Sequence, residues 1–369
     1  MFFRRKPSAK SETMASATSP RAETIGVEIE DAHDQDIPTE PRTIPARTSS
    51  AGTAHLIGPG CLKLHGGLPR WEPVQGQNIM LHPEYLERIL LYGSTDATGS
   101  ALRLCWRKGI QVVFLTPQGH EILGRLQPAG NCPNLPYLQH LAAADSAFPL
   151  TVARWLVHEK MQATVTALRY YQQQGKVTAA GDRLKQLERL KASADKAKSV
   201  NSLRGVEGTT AHLWFEVFAT LLPEGWTFPG RQARPCHDPV NALLSLGYTL
   251  LLNRCQTLLA AADLDPLVGF LHEIHPGRPS LACDIMEPQR IALVDRLVLG
   301  ILGRKRLSPG DFETTPDGLR LKSDPFRMFL KAFEDEFAAT SKTGTHREQT
   351  QQRIDELIKR IRQRNISNA

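Results

Sequence analysis

With 369 residues, the chain has room for one large domain or two of ordinary size. Its 41% apolar content supports a packed core and excludes a globally disordered or fibrous chain. The net charge of +7 points to an acidic partner, nucleic acid first among them.

The first 50 residues are rich in Ser, Thr, Pro, Ala and charge, with almost no aliphatic clusters. Such a stretch buries too little apolar surface to offset its ordering entropy, so a disordered tail is expected over 1–50. "MFFRRKPSAK" has a basic flank without an apolar run behind it, so no secretory signal is expected. From Leu56 the texture changes to short apolar runs punctuated by Gly and Pro. "CLKLHGG", "NIMLHP" and "RILLYGS" read as strands and turns. "TGSALRLCWRKG" reads as one helix, capped by Thr98 or Ser100 and stopped at Gly109. "IQVVFLT" and "HEILGRL" read as paired strands about the turn "PQG". A small β-rich domain is thus expected over 51–127, and the Pro-rich "QPAGNCPNLPYLQH" begins a linker over 128–148.

Beyond it the pattern is helical. "LTVARWLVHEKMQATVTALRYYQQQ" is amphipathic at helical period. "DRLKQLERLKASADKAKS" is a basic helix with Leu184, Leu187 and Leu190 on one side and a solvated basic face. "TTAHLWFEVFATLL", "PVNALLSLGYTLLLNRCQTLLAA" and "ALVDRLVLGILGR" are further helices, the second apolar enough for the centre of the fold. It is too short to span a bilayer, so no membrane association is expected. An all-helical domain over 149–340 follows, then a basic helix or tail over 341–369 striped by Ile354, Leu357, Ile358 and Ile361. The fold class is α+β, with a β-rich N-terminal part and a helical C-terminal part. Six cysteines are scattered without any C-x-x-C pair, which argues against a zinc ribbon or a disulfide framework and for free thiols in a reducing cytoplasm.

Three stretches carry side chains suited to chemistry. In "LRGVEGTTA", Glu207 stands between two glycines at an apparent helix start, where it reads either as a first-turn carboxylate or as a group that a bulky ligand can approach. His272 ends the apolar run "LVGFLH", as a hydrogen-bonded core histidine or a ligand. In "SLACDIMEP" Ser280 can cap a helix, and Asp284 and Glu287 at i and i+3 project from one face. Two carboxylates on one face need a positive group between them. Arg278 and Arg290 would supply it as an ordinary ion-pair network, and a divalent metal would supply it as a catalytic site. Carboxylate oxygens with one imidazole suit Mn²⁺ or Mg²⁺ and not a structural zinc. "RPCHDPVN" is no nucleophile dyad, since Asp238 before Pro239 simply caps the next helix. No G-x-S-x-G, phosphate-binding Gly loop or dinucleotide fingerprint is present.

The stretches "LLYGSTDATGSALRLCWRKGIQVVFLTPQGHEILGRL", "LRGVEGTTAHLWFEVFATLLP", "FPGRQARPCHDPVNALLSLGYTLL", "LDPLVGFLH", "GRPSLACDIME" and "VDRLVL" occur in this order. Together they resemble CRISPR-associated protein one, the endonuclease and integrase subunit of CRISPR spacer acquisition, over roughly residues 55–340. The resemblance implies a homodimer formed largely through the β domains. It implies prokaryotic antiviral defence and a small ferredoxin-like adaptation partner. It also implies a nuclease and strand-transfer site in which Glu207, His272 and Glu287 hold Mg²⁺ or Mn²⁺, with Asp284 as a supporting acid. The 3′-hydroxyl of a captured fragment would attack a phosphodiester at the repeat boundary, and Arg231, Arg234 and Arg278 would hold DNA phosphates. The alternatives are a catalytically weak DNA-binding scaffold and a stand-alone structure-selective nuclease. The main departure is Pro288 where the resemblance leads one to expect Glu, since a proline inside a helix removes a hydrogen bond and kinks it.

Overall fold

The strand-rich part consists of two sheets and one helix. In the computed structural model, which describes residues 52–117, 119, 122–126, 134–177, 180–232, 235–316, 318–341 and 343–367, the first sheet has the order β1-β5-β7-β8. These strands are β1 (Gly52–Ile57), β5 (Leu86–Tyr92), β7 (Gln111–Leu115) and β8 (Ile122–Leu126). β1, β5 and β7 run parallel, and β8 returns antiparallel to β7. The second sheet has the order β4-β3-β2-β6, from β2 (Gly60–His65), β3 (Leu68–Pro73), β4 (Ile79–Met80) and β6 (Thr95–Ala97). The predicted tail over 1–50 lies outside the described residues.

β5 shows why the two parts of the chain hold together. Its side chains alternate between faces. Ile89 and Leu91 join Leu62 and Trp71 of the second sheet and Ala101 and Cys105 of α1 (Gly99–Arg107) in one apolar core. Leu90 and Tyr92 point the other way, into the core of the helices, with Val113 and Leu115 of β7. A central parallel strand covered on both faces reads as a continuous apolar run, as "ILLY" does. The fully buried Arg88 and Arg254 both reach Glu334, and Arg254 and Arg347 reach Glu87, so charge pairing ties the sheet to the helices as well. Thr98 caps α1 by accepting the Ala101 amide at 3.4 Å, and Gly109 takes the left-handed conformation just after the helix ends.

The rest is mostly helical: α2 (Asn134–Ala143), α3 (Phe148–Gln173), α4 (Ala180–Lys196), α5 (Val200–Leu221), α6 (Pro239–Ala261), α7 (Ser280–Gln289), α8 (Arg296–Gly303), α9 (Ser323–Ala338) and α10 (His346–Ser367). Several expectations need correction. The Pro-rich segment read as a linker contains α2, because Pro136 falls in the first turn, where its missing N–H costs nothing. The C-terminal part is not all-helical: β9 (Phe312–Thr315) and β10 (Gly318–Leu321) form an antiparallel hairpin. Of the two readings of 341–369, the structure has the helix, α10, and Ile354, Leu357 and Ile361 of its stripe are fully buried. Asp238 caps α6 as read, accepting the Asn241 amide at 2.8 Å. Ser280 does not cap α7; its hydroxyl donates to the Glu273 carbonyl at 2.6 Å. Among the described residues no helix is long and apolar enough to cross a membrane.

Candidate metal centre

α3, α5, α7 and the loop before α7 converge on one group of charged side chains. The loop is shaped by Asp284, which is fully buried. Its Oδ2 accepts the amides of Phe270 and Leu271 at 2.6 and 2.9 Å, and its Oδ1 accepts the His272 amide at 2.8 Å. The His272 ring adds Nδ1 to the same Oδ1 at 2.7 Å. A carboxylate only accepts, so Nδ1 carries a proton, and in the neutral ring this leaves the lone pair on Nε2. Gly269 makes the wrap possible, because a Cβ there would stand 2.8 Å from Asp284 Oδ2. One carboxylate therefore fixes both the loop and the tautomer of the histidine at its end.

Nε2 of His272 faces Glu287, 4.0 Å from its Oε1. Glu287 is nearly inaccessible, and each of its oxygens is engaged: Oε2 takes the Lys160 ammonium of α3 at 2.6 Å, and Oε1 takes the Arg290 guanidinium at 2.8 Å. Burial pushes this carboxyl up, but Arg290 and Lys160 outweigh it and hold it well below the usual carboxylate range. The same Lys160 ammonium bonds Glu207 of α5. Glu207 is not a first-turn residue, since Ser199 caps α5 and Glu207 lies two turns inside. Gly205 and Gly208 flank it on the exposed side, where an added Cβ would meet no atom within 4 Å.

Pro288 does sit inside α7, yet Glu287 still reaches its neighbours. The helix widens after it into a π turn over Arg290–Asp295 before resuming as α8. Asp295 anchors this turn: Trp214 Nε1 donates to Oδ2 at 2.7 Å and the Tyr248 hydroxyl to Oδ1 at 2.5 Å. Burial raises the Asp295 carboxyl to about 6 against those bonds and Arg290. The Arg290 guanidinium lies 4.1 Å from the centre of the Tyr248 ring.

These groups border a cleft of about 880 Å³. Arg125 of β8, Arg231, Arg278 and Arg290 line it together with His272 and Glu287. Arg231 is tied to Asn241 and Ser245 of α6 at 2.9 and 3.0 Å, and Arg278 is exposed on the loop. Arg234 lies outside the described residues.

Among the described residues, no three His, Cys, Asp or Glu side chains stand together as a ready cage for a metal ion. Here the physical reason is plain: Asp284 is taken up by backbone amides, and the Lys160 ammonium lies between Glu207 and Glu287. The donor chemistry fits a hard divalent cation nonetheless, with two carboxylates and an imidazole whose free nitrogen faces one of them.

Residues 55–335 match the family model of CRISPR associated protein Cas1. The chain is 35% identical over 279 residues to a CRISPR-associated endonuclease Cas1 of Thermus thermophilus, covering 74% of this chain and 80% of that one. It is 35% identical over 283 residues to a CRISPR-associated endonuclease Cas1 of Rhodospirillum rubrum, covering 71% and 78%. Its fold superposes on a CAS1 protein from Thermotoga maritima with a TM-score of 0.75 and 25% identity, covering 84% of this chain and 96% of that one. The chain belongs to the Cas1 family.

Three features of this Cas1 family member escaped the sequence. Lys160 lies unremarked within the segment that reads as an amphipathic helix. Its register gives it away, because Ala153, Leu156, Val157, Thr164, Ala167 and Leu168 on the same stripe are all buried. Asp295, with Trp214 and Tyr248, carries no local signal, since those three residues come from three helical segments. Arg125 comes from the strand-rich part and meets Gln256 of α6 at the cleft.

Proposed function

We propose that this Cas1 family member is a metal-dependent DNA endonuclease and integrase of CRISPR spacer acquisition. The observation that carries the reading is the Asp284-locked His272, with its free Nε2 turned to Glu287 in an arginine-lined cleft. Glu207, His272 and Glu287 would hold Mg²⁺ or Mn²⁺, which supplies Lewis acidity at a phosphodiester when bound. Asp284 keeps the histidine in the ligand tautomer. Arg278 and Arg231 bind and orient DNA phosphates, and Arg125 extends the basic lining from β8. In transesterification the 3′-oxygen of a captured fragment loses its proton and bonds to phosphorus at the repeat's 5′ end, as the 3′-oxygen of the flanking strand departs and takes up a proton. One phosphodiester is made for each one broken. With water as the nucleophile, the same site hydrolyses the strand.

The strand-rich part is the dimerisation surface of a homodimer in this reading, supported by Val74, Ile79 and Met80 exposed at the β3–β4 end. A small ferredoxin-like adaptation protein completes the assembly. The test is strand transfer with purified protein, that small partner, a short duplex with free 3′ ends, a repeat-bearing plasmid and Mn²⁺. Joining that vanishes on chelation and in His272→Ala is the expected result. DNA binding with neither joining nor cleavage would replace the reading with a scaffold role.

A further inference from the structure

Among the described residues, Lys160 is the one cation paired with both acidic ligands assigned above. Its side chain is only 4% exposed, and its ammonium bridges Glu207 Oε1 and Glu287 Oε2. Arg290, the other cation here, engages Glu287 through Nη1. A divalent ion shared by Glu207 and Glu287 must take up the space between their oxygens, and that space is held by Nζ of Lys160. Two carboxylates, Glu287 and Glu207, face two cations, Lys160 and Arg290, beside a histidine turned to Asp284. Buried carboxylates deprived of a counter-charge repel strongly, so the arrangement is stable only with some cation in place. Two cations in the same seat repel in turn. Lysine suits such a place because it is a compact point charge on a flexible stem that can swing aside, whereas a guanidinium fork is bound by its geometry.

Resting on the metal-site reading above, we propose that Lys160 is a resident counter-cation: it occupies the metal seat in the metal-free protein, competes with the incoming divalent ion and swings away when the ion binds. Its role is to neutralise the two glutamates while the ion is absent and so to limit metal affinity. A purely structural ion pair would leave metal affinity unchanged. A lysine that orients the ligands for the metal would make affinity fall when it is removed.

The experiment is a titration of the full-length protein with Mn²⁺ alone, reading free Mn²⁺ by its paramagnetic resonance signal. Wild type, Lys160→Met and His272→Ala are compared, with folding checked by circular dichroism. Wild type should bind, His272→Ala should bind more weakly, and Lys160→Met should bind at least about tenfold more tightly, within the range by which groups around a metal tune its affinity. Equal or weaker binding by Lys160→Met, with wild type binding and His272→Ala impaired, overturns the role of Lys160 and leaves the metal site standing. No binding by wild type overturns both. Should Lys160→Met fail to fold, amine acylation of the wild-type protein followed by mass spectrometry decides. Lys160 should acylate several-fold faster with Mn²⁺ than without, and an unchanged or slower rate refutes its displacement.

Discussion

Replacing Asp284 by Asn tests whether one carboxylate organises the loop that carries His272. The side chain keeps its shape but loses its charge, and one of its acceptor atoms becomes an NH₂ donor. Whichever way the amide turns, one side of it faces the Phe270 and Leu271 amides and the other faces the His272 amide and ring. Two of the four bonds are therefore lost, with donors set against donors. Hydrogen bonds to a charged group contribute about 1.5–3 kcal/mol each, so the loss is about 3–6 kcal/mol. The lower end is expected, since a neutral amide is also cheaper to bury. Against a typical stability of about 5–15 kcal/mol this is a large fraction. Urea unfolding measures it, and hydrogen exchange at the 270–272 amides localises it. Strand transfer should fall together with Mn²⁺ affinity, because Nδ1 then meets either a donor or only a neutral acceptor and the tautomer is held less firmly. A change under about 1 kcal/mol with those amides still protected would refute the argument.

Three further outcomes are expected. Gly208→Ala should stabilise α5 by about 1 kcal/mol, since a helix-interior glycine is disfavoured and an added Cβ there meets no neighbour. Strand transfer should nevertheless drop if DNA approaches Glu207 over that face, and a more stable variant of full activity would remove the face from DNA binding. The raised Asp295 carboxyl, lifted from 3.8 to about 6, favours the folded state at low pH, and this contribution is lost as pH rises through about 6. Asp295→Asn should therefore gain stability relative to wild type between about pH 4 and 7, by roughly 3 kcal/mol across the interval; parallel stability–pH curves would contradict this. Ending the chain at residue 345 removes the fully buried Ile354, Leu357 and Ile361, each contributing about 1.5–3 kcal/mol, so the truncated protein should fail to unfold cooperatively; an unchanged melting temperature would make α10 an appendage.

The candidate site was legible to the extent that its logic is local. Asp284 and Glu287 at i and i+3 do share a face of α7. What periodicity hid was which of the two carboxylates meets a cation. The arginines flanking the motif were the natural partners on paper. Arg290 does pair with Glu287, but Asp284 is satisfied by amides, and the second cation arrives from a helix 127 residues away. A lysine inside an apolar stripe is ambiguous in one dimension, because a long stem can snorkel to solvent or end on a buried carboxylate, and only tertiary contacts decide. The strands were readable from composition, but their pairing was not. The chain leaves the first sheet after β1, builds most of the second, and re-enters as β5 parallel to β1, and no local pattern encodes that crossover.

Pro288 shows how tertiary context replaces a local rule. Taken alone, a proline next to Glu287 removes the amide that would bond the carbonyl four residues back and threatens the aim of the glutamate. The kink matters only if the helix axis alone decides where Glu287 points, and it does not. Lys160 from α3 and Arg290 from the π turn hold the carboxylate from two directions. The looseness introduced at Pro288 is taken up immediately downstream, where the wide turn over Arg290–Asp295 is pinned by Trp214 and Tyr248 on Asp295. Strain at a functional helix is tolerated where its surroundings over-determine it. Here the surroundings are charged groups on either side of the proline, so the residue that looked most damaging in the sequence lies between two anchors that make the straightness of the helix immaterial.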